Sequence, residues 1–85
     1  MPGMSNATEP VQVVQVVDVR GLQCPMPVVK LAQAVKQLQP GQVLELLSTD
    51  PGVEADMPSW ASRTGNELLS LDWTGTEYRI RVRRG

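Results

Sequence analysis

The chemistry open to this chain converges on one sulfur atom. Cys24 is the only cysteine, and it stands in Gly21-Leu22-Gln23-Cys24-Pro25-Met26-Pro27, with prolines at the next position and the third. Behind it Val28, Leu31, Val35 and Leu38 recur at steps of three and four, the apolar stripe of an amphipathic helix. Proline is favoured in a first helical turn, where its missing N–H would have no partner. This pattern predicts a helix with Cys24 as its N-cap. A helix N-terminus carries partial positive charge that favours an anion, and it lowers a thiol pKa from its ordinary value of about 8.5. Arg20 and Lys30, one on either side in sequence, are the candidate electrostatic support. The expectation is an accessible, moderately activated nucleophile. Free cysteine is more often buried packing; its place at the helix tip, ahead of the stripe that begins at Val28, argues for chemistry instead.

Composition narrows that chemistry. A single cysteine excludes an internal disulfide, a Cys-x-x-Cys redox pair and a multi-thiolate zinc site. The chain has no histidine, which removes Cys–His and Ser–His pairs and the commonest zinc and iron ligand. The reading therefore calls for no metal and no cofactor. Cys24 must rely on its own acidity, on charged neighbours, or on a partner protein. A net charge of −1 gives no global attraction to nucleic acid or to an anionic membrane. No apolar run is long enough to insert in a bilayer, and a lone working thiol suits a reducing cytoplasm. Arg79, Arg81, Arg83 and Arg84 crowd the end of the chain. Without interleaved aromatics to stack bases they read as a solvated strand face, so no direct nucleic-acid binding is expected. Asp50 and Asp56 read as helix caps, and Trp60 and Trp73 as core in a chain without phenylalanine.

The elements that must position Cys24 follow in order. Residues 1–10 read as a flexible tail and residues 11–85 as a single domain. Val11 to Val19 is a valine-rich strand whose incomplete alternation predicts a central position in the sheet. Gln39-Pro40-Gly41 stops the first helix, and Gln42 to Thr49 is a second strand, parallel to the first through a right-handed crossover. Asp50-Pro51 opens a second helix that buries Val53, Met57, Trp60 and Ala61 and ends at Gly65; Pro58 inside it predicts either a kink or regular helix confined to one side. Glu67 to Trp73 and Glu77 to Arg84 form a hairpin around Thr74-Gly75-Thr76. The order βαβαββ predicts an α/β (α+β) two-layer sandwich, a four-stranded mixed sheet with two helices on one face.

Asp18-x-x-Gly21-Leu22-x-Cys24-Pro25-x-Pro27, followed by Thr49-Asp50-Pro51, Asp56-Met57-Pro58-Ser59-Trp60 and Gly65, resembles the signature of the TusA (SirA-like) family of small sulfur carriers. The resemblance runs over roughly residues 13–84. It implies the same two-layer fold and a sulfurtransferase activity in which Cys24 carries a sulfur atom as a persulfide. Gly21, Leu22, Pro25, Met26 and Pro27 would frame the site. It also implies a sulfur-donor protein such as a cysteine desulfurase and a downstream acceptor protein. The destinations it suggests are tRNA thiolation, molybdenum-cofactor assembly and sulfur oxidation. Met26 stands where some members carry an acidic residue, and Asn66 where many carry a histidine. The competing readings are a non-catalytic interaction or regulatory module, and a cytosolic accessory to a transporter of sulfur compounds.

Overall fold

Two helices lie on one face of a four-stranded sheet in the computed structural model, which describes residues 12–85. The expected tail, and Val11 at the start of the first strand, lie outside the described residues. The elements are β1 (Val13–Asp18), α1 (Met26–Val35), β2 (Val43–Ser48), α2 (Val53–Thr64), β3 (Glu67–Trp73) and β4 (Tyr78–Arg83). The sheet order is β1-β2-β4-β3. β1 runs parallel to β2, as a strand–helix–strand crossover requires, while β4 is antiparallel to both β2 and β3.

Alternation on β4 decides which side is covered. Tyr78, Ile80 and Val82 are buried, whereas Arg79, Arg81 and Arg83 face the open side. Leu44, Leu46 and Ser48 of β2 are buried opposite them in register. Onto that face α1 lays Leu31, Ala34 and Val35, with Leu38 just beyond its end, and α2 lays Val53, Met57, Trp60 and Ala61. All belong to one hydrophobic cluster. Leu31, Leu44, Leu46, Met57 and Ile80 are fully excluded from solvent, each worth roughly 1.5–3 kcal/mol of burial. On the open face Arg81 pairs with Glu45 at 3.1 Å and Arg83 with Glu67 at 2.9 Å. Arg84 turns back to the carbonyls of Lys36 and Leu38 at the end of α1. Three of the four clustered arginines are thus engaged inside the fold.

Three expectations are corrected. β1 is an edge strand, not a central one. Its valines fall on both faces because Val13-Val14 and Val16-Val17 are neighbours on an alternating strand, and at the sheet edge Val14 and Val16 stay exposed. Trp60 is core, but Trp73 is 54% exposed. It ends β3 at the sheet margin and leans on the Tyr78 ring, with centroids 4.8 Å apart. Finally, regular helix is not confined to one side of Pro58, since α2 runs through it from Val53 to Thr64. Its packed residues on both sides of Pro58 hold it together, although the proline gives the Glu54 carbonyl no helical donor.

Candidate functional site

Parallel pairing puts the C-terminal ends of β1 and β2 side by side, so the loops leading into α1 and α2 emerge together. Three hydrogen bonds extend that pairing past the last residues of the strands. The Val19 N–H donates to the Leu47 carbonyl at 2.8 Å, the Gly21 N–H to the Thr49 hydroxyl at 2.9 Å, and the Cys24 N–H to Asp50 Oδ2 at 2.9 Å. Gly21 has φ +84° in a turn closed by the Leu22 N–H on the Val19 carbonyl, a conformation in which only glycine is unstrained. The Asp50 carboxylate is shared. Its other oxygen accepts the Gly52 N–H at 3.2 Å, and its own N–H donates to the hydroxyl of the buried Ser48.

Cys24 is exposed, as an accessible thiol requires, but it is not the N-cap. The first helical bond runs from the Val29 N–H to the Pro25 carbonyl. Pro25 is therefore the cap residue, and Cys24 lies one position outside, joined to it by a cis peptide bond. Pro27 is buried in the first turn. Leu22, Met26 and Val29 are large apolar side chains exposed around the same tip. Beside the thiol is a recess of about 200 Å³ lined by Cys24, Pro25, Val28, Asp56, Ser59 and Arg63. A larger hollow, about 270 Å³, opens at the far ends of the helices between Lys36, Thr64 and Arg84 and contains no thiol.

The electrostatics of the tip reverse the expected activation. The Asp56 carboxylate, which lines the recess beside the thiol, favours the protonated sulfur, and partial burial and the negative charges of Asp56 and Asp50 act in the same direction; together they raise the Cys24 pKa above its ordinary value. The helix offsets this little, because Pro25 and Pro27 carry no N–H and the Met26 N–H is spent on the Gln23 carbonyl. Arg20 is turned to Asp18 at 2.8 Å and Glu77 at 3.0 Å, which holds the Asp18 carboxyl down at about 2 through its hydrogen bonds to Arg20. Lys30 is exposed on α1 and does not line the recess. The cation at the recess is Arg63, whose guanidinium reaches the Ser59 hydroxyl at 3.5 Å.

Asp56 and Arg63 were not singled out by the sequence as neighbours of the sulfur. Asp56 caps nothing: the cap of α2 is Gly52, and Asp56 sits in the first turn with its N–H on the Gly52 carbonyl. Asp50 lies two positions before that cap. A usable signal existed in the spacing Asp56, Ser59, Arg63, which puts three polar residues on one helix face, away from Val53, Met57, Trp60 and Ala61.

Comparison with known proteins brings the same region into focus. The family model described as Sulfurtransferase TusA matches residues 15–84. A putative sulfur carrier protein of Bacillus subtilis, YrkF, is 44% identical over 70 residues, covering 82% of this chain and 38% of that protein. A putative sulfur carrier protein of Aquifex aeolicus is 47% identical over 55 residues, covering 65% of this chain and 28% of its own length. This chain thus spans well under half of those two relatives. The sulfur carrier protein TusA of Allochromatium vinosum is 33% identical over 70 residues, covering 82% of this chain and 92% of that one. Among solved structures, a SirA-like protein of Desulfitobacterium hafniense superposes with a TM-score of 0.73 at 20% identity, covering 85% of this chain and 99% of the other. At that identity the likeness speaks for the fold.

Proposed function

Since the chain belongs to the TusA sulfurtransferase family, we propose that it is a sulfur carrier that accepts sulfane sulfur on Cys24 and relays it to an acceptor protein. Cys24 attacks the outer sulfur of a persulfide on a donor such as a cysteine desulfurase. The new S–S bond forms on Cys24, the donor's S–S bond breaks, and the proton released by Cys24 ends on the donor's thiol. The acceptor's thiol, ionised, then attacks the outer sulfur of Cys24–S–SH; the S–S bond at Cys24 breaks, and the proton the acceptor gave up ends on Cys24, which returns to a thiol. The observation that carries this reading is the exposed Cys24 on a tip ringed by Leu22, Met26 and Val29. A relay needs a sulfur that two partners can reach in turn, and exposed apolar side chains give each something to bury. Gly21, Pro25 and Pro27 would fix the tip's geometry. No described helix is long and apolar enough to cross a membrane, and a lone thiol of this kind works best in the reducing cytoplasm. tRNA thiolation, molybdenum-cofactor assembly and sulfur oxidation are the pathways such a carrier can feed.

The test is intact mass after incubation with cysteine and a desulfurase. The expected result is a gain of one sulfur atom that a reductant removes and that Cys24→Ser lacks. A chain that stays unmodified with several competent donors would instead be a binding or regulatory module.

A further inference from the structure

Cys24 and Asp56 come from different elements, and they meet only because the loop before α1 and the first turn of α2 share one end of the sheet. We propose that Asp56 is a positioning residue that keeps the proton on Cys24 in the free carrier, and that the sulfur is released for reaction when a docking partner brings a lysine or arginine into the recess. This rests on Cys24 being the atom that bears the sulfur.

The groups facing the thiol define the balance. From α2 come Asp56 and Arg63, with Ser59 between them. From the loop before α2 comes Asp50, held by the Cys24 and Gly52 N–H groups. From α1 comes only Val28, and the nearby Arg20 is committed to Asp18 and Glu77. Asp56 in the recess wall and Asp50, 2.9 Å from the Cys24 N, set two carboxylates near the sulfur against the single guanidinium of Arg63, and that balance opposes a thiolate. The raised Cys24 pKa agrees with this. A cation set beside Asp56 by a partner reverses the local sign. The thiol then gives up its proton, attacks the donor's outer sulfur, and that proton ends on the donor's departing thiolate. Away from a partner the carrier stays a thiol, which resists oxidation and stray alkylation because the thiolate is the reactive form.

The experiment is the pH profile of Cys24 alkylation by iodoacetamide in the intact chain, with Asp56→Asn and Asp56→Glu beside the wild type. Asp56→Asn moves the inflection to lower pH, and its rate near neutrality rises about tenfold for each unit of that displacement. Asp56→Glu restores most of the wild-type profile. A cationic methanethiosulfonate reagent outpaces a neutral one on the wild type, and that preference shrinks in Asp56→Asn. An inflection that stays put in Asp56→Asn overturns the proposal. Should that variant not fold, the wild-type Asp56 carboxyl carbon resonance decides instead. It must show a second inflection at the alkaline pH where Cys24 ionises, and a resonance blind to that step also overturns it. No sulfur donor enters these measurements, so they fail or succeed independently of sulfur loading.

Discussion

At the scale of single residues, the site depends on carboxylates as much as on sulfur. Asp50 joins the two loops by accepting from Cys24 and from Gly52 at once. Asp50→Ala removes both acceptors and leaves those N–H groups to water. The expected loss is about 1–2 kcal/mol of stability, measured by urea unfolding, with amide exchange quickening first at Cys24. Equal protection of the Cys24 amide in both proteins would show that the loop is held by something else. The pH sense of the Cys24–Asp56 contact is set by its direction. A thiol whose folded pKa is raised contributes stability below its unfolded pKa, and that contribution is lost as pH rises through the folded value. The sequence marks Cys24 itself plainly, because it is the sole cysteine and prolines frame it. It does not tie Asp56 to the sulfur, because a carboxylate at the start of a helix has an ordinary local use, and its place beside a residue of another element depends on tertiary packing.

At the scale of elements, burial stripes are the most legible feature. Val53, Met57, Trp60 and Ala61 are buried as their spacing predicts, and so are Tyr78, Ile80 and Val82. The order βαβαββ and the Gly65 stop, at φ +74°, follow from the same local chemistry. Strand position was less legible. β-branched residues signal a strand wherever it sits, and the adjacent valines of β1 put apolar side chains on both faces, the pattern a central strand would also have. Trp73 misleads for a related reason: a large ring at a strand end has half its surroundings missing. Pro58 is the clearest tension between local preference and packing. It lies six residues beyond the Gly52 cap, exposed, inside a helix whose buried residues flank it. Pro58→Ala gives the Glu54 carbonyl its donor back, set against the greater freedom gained by the unfolded chain. The variant should be more stable by about 1–2 kcal/mol, read from the urea midpoint. An unchanged or lower midpoint would mean that the proline's fixed φ contributes as much as the missing bond costs.

At the scale of the whole molecule, the sheet works as a frame and the tip as a handle, and the two should respond separately to mutation. Ile80 is fully buried at the middle of β4, paired with Leu46 on one side and Leu71 on the other, so it reports the frame. Cys24 is exposed in a loop beyond the strand ends, so it reports the handle. Ile80→Val removes one methylene, which costs about 1 kcal/mol in a small domain whose total stability is on the order of 5–10 kcal/mol. The urea midpoint should fall accordingly. Alkylation of Cys24 under native conditions should stay as it was, because a reagent already reaches the sulfur without opening the core. If the thiol were reached only through global unfolding, its rate would instead track the unfolded fraction and rise about fivefold with that 1 kcal/mol. Rates measured with and without low urea separate the two cases. A rate that climbs in step with the stability lost would place the sulfur behind the core, and neither a relay nor a proton held by Asp56 could then operate on the folded chain.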